Sequence, residues 1–235
     1  MSTTERAYRY FPLITAAFVT VLLCSNLIGP AKVVELSLPV VGAISFSAAV
    51  LFFPFSYVFG DILTEVYGYA RARRVIWTGF AALLFASTMS ALTVALPFAA
   101  DWPHQAAYET VFGSTWRIVA ASMLAYFCGE LVNSYVLARM KVAMAGRALW
   151  LRTIGSTLIG EAVDTAIFFP IAFWGSGLIP DELLLAIAIT EYVLKVLIEV
   201  LFTPGTYAIV GALKRAERED YYDRDTDFSP FRIGV

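Results

Sequence analysis

Charge is what this chain is short of. Only 15% of its 235 residues are Asp, Glu, Lys or Arg, against about 25% in ordinary soluble domains. So few charges cannot cover the surface of a soluble domain of this size. Histidine occurs once and cysteine twice. His104 sits in a loop beside Asp101 and Trp102 and has too few companions for a metal site. Cys24 and Cys128 lie inside apolar stretches, give neither a disulfide framework nor a zinc spacing, and read as small apolar residues. The 17 basic and 19 acidic residues nearly cancel, leaving a net charge of −2. That supplies no basic field for nucleic acid, which is not expected as a partner. No Gly-x-x-x-x-Gly-Lys-Ser/Thr loop occurs, so the chain carries no such site for nucleotide hydrolysis. His-Glu-x-x-His and Gly-x-Ser-x-Gly are also missing. No cofactor, metal or catalytic residue is expected.

What the chain has instead is apolar length. Hydrophobic residues make up 59% and mean hydropathy is +0.71. Phe11–Ile28 runs 18 residues and Val75–Ala100 runs 26 without an acidic or basic side chain, lengths expected only of membrane spans. The first run is preceded by Arg6 and Arg9, lacks a small-x-small cleavage pattern, and is expected to be retained as a helix. Six spans fit the pattern: Phe11–Ile28, Gly42–Glu65 with a bend at Pro54, Val75–Ala100, Trp116–Leu137, Leu149–Trp174 interrupted by Pro170, and Leu183–Leu213 kinked at Pro204-Gly205.

The expected fold is therefore all-α, a single six-helix transmembrane domain over residues 1–213, with the lipid bilayer as a partner. Fourteen of the 17 basic residues fall on one side of these spans. Only Lys32 and Arg117 fall on the other, and Lys195 lies within a span. The positive-inside bias then places both termini in the cytoplasm. Residues 214–235 hold 11 charges of mixed sign and read as a solvated cytoplasmic tail.

The informative residues are charges inside the apolar stretches. Asp61 and Glu65 lie in the second span, Glu130 and Asn133 in the fourth, Glu161 and Asp164 in the fifth, and Glu191, Lys195 and Glu199 in the sixth. An ionised group near the bilayer centre costs roughly 2.5–3.5 kcal/mol even on lenient insertion scales. Seven acids against one lysine demand protons, water or a cation. Spacings of three and four place each set on one helical face. Spans two, four, five and six are thus expected to line a polar cavity, with one and three facing lipid. Such groups also bond helices together, but seven acids are poor glue.

Glycine, acid, two apolar residues and a polar residue recur at Gly60–Thr64, Gly129–Asn133 and Gly160–Asp164. Repeats are usual in transporters, and a glycine beside each acid admits close backbone approach. Small residues four apart at Ala82, Ala86 and Ser90 suit packing within or between subunits, so a homodimer is a candidate assembly. The aromatic residues crowding Phe52–Tyr69 read as packing and interface-belt residues, one or two of them able to stack on a heterocycle.

The run Phe53-Pro54-Phe55-Ser56-Tyr57 through Asp61-Ile62-Leu63-Thr64-Glu65-Val66-Tyr67-Gly68-Tyr69 to Arg71, Arg73 and Arg74 resembles the signature of the queuosine precursor transporter family. These are bacterial inner-membrane proteins also classed as vitamin-uptake-type transporters. Ser25-Asn26-Leu27-Ile28 through Lys32, and Gly160-Glu161-Ala162-Val163-Asp164-Thr165, are similar to it as well, so the likeness covers about residues 10–213. The resemblance implies import of 7-deazaguanine bases, such as preQ0, preQ1 or queuine, for transfer RNA modification. A guanine-like edge offers N–H donors that carboxylates accept in pairs, and the aminomethyl group of preQ1 would offset a negative charge.

On that reading Glu161, Asp164, Glu130, Asn133 and Asn26 are expected to bind substrate. Asp61 and Glu65 are expected to tie to Arg71, Arg73 or Arg74 as a gate beside Tyr67, and Lys195 to pair with Glu191 or Glu199. Two rival readings are a solute-binding subunit of an ATP-driven importer and, from another class, an intramembrane aspartyl-type enzyme using Glu161 and Asp164.

Overall fold

A computed structural model describes residues 7–28, 32–38, 42–113, 116–177 and 180–232. Arg6 lies outside these, as do residues 29–31 of the Ser25–Lys32 stretch and the side chains of Phe53, Pro54 and Tyr57. The first helix, α1, is Phe11–Leu27, opened by Pro12, where a missing N–H is no loss. It buries Ile14, Phe18, Leu22 and Ser25, a stripe at helical spacing. Phe18 and Leu22 press on Gly79 of the third helix, where a Cβ would lie 2.8 Å from Leu22 Cδ2 and 2.6 Å from Tyr126 Oη.

The chain then departs from the all-helical expectation. Val33–Leu38 (β1) and Gly42–Ser47 (β2) pair antiparallel, Val33 opposite Ser47 and Leu38 opposite Gly42. The second span, expected as helix from Gly42, therefore begins as a strand. Ile44 and Phe46 alternate there with Ala43, Ser45 and Ser47, a period of two that suits a strand and that average hydropathy does not register. Pro54 does not bend this span either. It opens α2 (Phe53–Ile62), which continues as a π-helical turn, Leu63–Tyr67. Gly68, at φ +87°, then breaks the helix before α3 (Tyr69–Ala95).

The remaining helices are α4 (Gln105–Phe112), α5 (Trp116–Ala143), α6 (Leu149–Phe173) and α7 (Asp181–Glu217). Among the described residues, apart from the short α4 and a 3-10 turn at Ala48–Leu51, six helical segments follow in the expected order. By length and composition α3, the stretch Gln105–Ala143 and α6 are able to cross a membrane. The longer α7 carries Glu191, Lys195 and Glu199 in its middle. Neither Pro170 nor Pro204 ends its helix. At the far end of α6, Arg117 of α5 donates to the carbonyls of Pro170, Ile171 and Trp174, satisfying groups a helix terminus leaves open.

The charged tail is a folded strap rather than a solvated one. Asp223 is 2% exposed and accepts the Tyr69 N–H on both carboxylate oxygens, capping α3 from outside. Tyr221 packs against Gly68, where a Cβ would lie 2.2 Å from its ring. Arg73 donates to the carbonyls of Asp227 and Ser229, and Trp77 to that of Pro230. A mixed-sign segment is expected to stay in water only when nothing receives its charges. Here the first turns of α3 receive them.

Candidate functional site

Two of the three glycine–acid motifs meet where α5 crosses α6. A Cβ on Gly129 would lie 3.0 Å from Asp164 Cβ and 3.2 Å from the Gly160 carbonyl oxygen. One on Gly160 would lie 2.7 Å from Asn133 Cβ and 3.0 Å from the Gly129 carbonyl oxygen. The contact is reciprocal: each glycine packs on the polar residue that closes the other motif. Any side chain at either position would force the helices apart. The third motif joins them from α2, where a Cβ on Gly60 would meet Glu130 Oε2 at 2.9 Å.

This packing gathers the polar side chains of four elements. Asn133 Nδ2 donates to Asp61 Oδ1 at 3.2 Å, and Thr64 Oγ1 to Ser134 Oγ at 3.0 Å. Lys195 Nζ lies 3.0 Å from both Glu161 Oε2 and Asp164 Oδ2. Glu199 interacts electrostatically with Asp61 and Glu161, and Glu130 with Glu161 and Asp164. Asp61, Glu130, Asn133, Glu161 and Glu199 are each no more than 7% exposed. The expected partners of Lys195 were Glu191 and Glu199 on its own helix, but its ammonium instead crosses to α6. Two carboxylates three residues apart straddle it there and offset the cost of burying its charge better than one neighbour on the same helix. Glu191 stays half-buried beside this pair.

A second network closes the end of the bundle where the arginines lie. Glu65, fully buried, takes Arg152 through Nη1 at 2.7 Å and Nη2 at 3.1 Å, and Lys214 Nζ at 2.6 Å. Lys141 Nζ stands 3.5 Å from its carboxylate and donates to its backbone carbonyl at 2.6 Å. Asp220 of the strap bridges Lys141 at 2.6 Å and Lys214 at 2.8 Å. Partial burial pushes the Asp220 carboxyl up, but the hydrogen bonds from Lys141 and Lys214 outweigh it and hold it below the usual carboxylate range.

The expected ties from Asp61 and Glu65 to Arg71, Arg73 or Arg74 do not form. Gly68 breaks the helix between the acids and the arginines, and α3 carries the guanidinium groups of Arg71 and Arg73 to Tyr8 and the strap. Arg71 donates to the Tyr67 carbonyl and lies 4.8 Å over the Tyr8 ring and 5.3 Å over that of Tyr221. Tyr67 is buried in this network and donates to Glu217 Oε1 at 3.2 Å. Glu217 also accepts the backbone N–H groups of Arg9 and Tyr10.

Sequence reasoning missed Arg152, Lys141 and Lys214 as partners of Glu65. The excess of acids over lysine in the apolar stretches was the available signal that cations at or just beyond the span ends reach in.

Asn26 stands apart from the carboxylates. Its Nδ2 donates to the Leu22 carbonyl and its Oδ1 accepts from Ser122 of α5 at 2.8 Å. It lines a separate recess of about 210 Å³ with Ser87, Ser90, Phe112 and Trp116.

Long apolar helices enclosing a buried charged cluster define a multi-pass membrane protein whose polar core is suited to handling a polar solute. Residues 47–209 match a family model described as "Putative vitamin uptake transporter". The chain is 34% identical over 160 residues to the "Probable queuosine precursor transporter" of Bacillus subtilis, covering 67% of this chain and 69% of that protein. It is 32% identical over 162 residues to the "Queuosine precursor transporter" of Escherichia coli, covering 67% and 69%. No solved structure matches it. The chain belongs to the vitamin uptake transporter family, among the queuosine precursor transporters.

Proposed function

We propose that this chain imports queuosine precursors, 7-deazaguanine bases such as preQ0, preQ1 or queuine, across the bacterial inner membrane for transfer RNA modification. The observation that carries the reading is the gathering of Asp61, Glu130, Asn133, Glu161, Asp164 and Glu199 from α2, α5, α6 and α7 into one buried cluster, with Lys195 held by Glu161 and Asp164. Such a set accepts N–H donors, which a guanine-like edge presents in a row. Glu161 and Asp164, with Glu130 and Asn133, form the recognition surface.

With both termini in the cytoplasm, the Glu65–Arg152–Lys141–Lys214 network is the inner closure. Glu65 and Arg152 must part for solute to leave on that side. Asn26 and its recess lie on the other route, an outer approach. The cycle runs by alternating access, with no nucleotide hydrolysed by this chain.

The test is uptake in a bacterium that neither makes queuosine nor has its own importer. Cells expressing this chain receive trace base, and queuosine in transfer RNA is read by gel retardation. Restoration by this chain alone is the expected result, with Glu161→Gln lowering it roughly tenfold or more, a loss of about 1.4 kcal/mol or more in binding. Normal uptake by that variant would remove Glu161 from the recognition surface. Restoration only with added ATPase subunits would move the chain to the solute-binding subunit of an ATP-driven importer.

A further inference from the structure

Ion pairing separates the carboxylates into two sets. Glu161 and Asp164 hold Lys195. On the other side, Asp61 Oδ2, Glu130 Oε2 and both oxygens of Glu199 have no hydrogen-bond partner among the described residues. Asn133 adds an independent sign. It is 5% exposed, its amide nitrogen is committed to Asp61, and its Oδ1 is also unpartnered.

All these orphans are acceptors, so the set lacks donors. Buried acceptors left unmet cost about 1–3 kcal/mol each, more when charged, so whatever occupies the site brings N–H or O–H groups.

The surroundings are acidic from every side. Asp61 faces Asn133 and Glu130 from α5 and Glu199 from α7, with Glu65 on its own element. Glu130 faces Glu161 and Asp164 from α6 and Glu199 from α7, with Tyr126 one turn away on α5. Glu199 faces Glu161 and Asp61, and Lys195 precedes it by one turn on α7.

We propose that Asp61, Glu130 and Glu199, with Asn133 Oδ1, bind the primary ammonium group of a cationic substrate in exchange for a proton. This rests on the transport reading above and names the substrate class of that site. A primary ammonium carries three N–H donors, enough for one oxygen from each acid. Without ligand, carboxyl protons supply the missing donors, one of them to Asn133. When the ammonium enters, its positive charge replaces that of a departing proton, so the buried charge is unchanged. A neutral base gives no such replacement.

Calorimetry on the purified full chain, in two buffers of different ionisation heat, tests the exchange with preQ1, which carries the aminomethyl group, and preQ0, which lacks it. The expected result is release of about one proton per preQ1 bound and none for preQ0. Release of one proton makes preQ1 affinity rise about tenfold per pH unit. Glu199→Gln is expected to shrink the preQ1-to-preQ0 affinity ratio roughly tenfold or more, a loss of about 1.4 kcal/mol or more. Glu109→Gln, on exposed α4, leaves the ratio unchanged. If Glu199→Gln does not fold, Asp61→Asn is read the same way. Binding of both bases with equal affinity and no proton release would overturn the exchange while sparing the transport reading. Binding of neither base would overturn both.

Discussion

Replacing Arg152 or Glu65 separates two consequences of one buried network. Arg152→Met removes two charge-assisted bonds to Glu65, at 2.7 and 3.1 Å, and one to the Gly146 carbonyl at 3.0 Å. Glu65 keeps Lys214 at 2.6 Å, so its charge stays neutralised and the expected loss is about 3 kcal/mol, near the lower end for two such bonds. Glu65→Gln does the opposite. It leaves Lys141 and Lys214 with Asp220, whose side chain is 44% exposed, and takes the carboxylate away from Arg152. Breaking a buried pair from the side that strands the charge costs about 3–5 kcal/mol, and the upper end applies here.

At about 2–4 °C per kcal/mol for a chain of this size, the midpoint falls roughly 6–12 °C for Arg152→Met and 10–20 °C for Glu65→Gln. Removing Arg152 relieves part of the charge that Glu65→Gln strands, so the double variant is less damaged than the sum of the two. Cys24 and Cys128 are free and half-buried. A thiol-reactive dye in detergent therefore reports unfolding without added labels. Equal losses, a larger loss for Arg152→Met, or simple additivity would refute the charge ordering.

Three further outcomes follow from contacts elsewhere. Gly160→Leu is expected to destabilise by about 3 kcal/mol or more through overpacking against Asn133, whereas Gly205→Leu, with nothing within 4 Å, is nearly neutral in the same dye assay. Gly68→Ala is expected to cost roughly 1–3 kcal/mol from its positive φ alone. Adding Tyr221→Ala relieves the ring contact but not that strain, so thermal midpoints should recover only in part. The hydrogen bonds from Lys141 and Lys214 hold the Asp220 carboxyl below the usual carboxylate range, so its bridge is present above that range and is lost only as pH falls through the depressed value. Hydrogen exchange over residues 218–232 should therefore show the same protection pattern at pH 5 and pH 7 after correction for intrinsic rates, while Asp220→Asn loosens the strap at both.

Much of this protein was written in one dimension. Apolar length announced the membrane, the spacing of Glu130 and Asn133 and of Glu161 and Asp164 put each pair on one helical face, and the recurring glycine beside an acid marked the residues that meet at the α5–α6 crossing. Those features are local, set by helical period and side-chain size. The strand pairing of Val33–Leu38 with Gly42–Ser47 was also local, carried by an alternation that mean hydropathy averages away.

What the tertiary structure decided was partnership. Lys195 could have served Glu191 or Glu199 on its own helix, and Glu65 could have taken an arginine of α3. Which carboxylate receives which cation depends on helix rotation and on where Gly68 turns the chain, and neither is set by spacing along one helix. The strap makes the same point. Its charges read as solvated until α3 and the Lys141–Lys214 pair are folded into place to receive them, because a charge is buried only where the fold brings a counterpart from far along the chain.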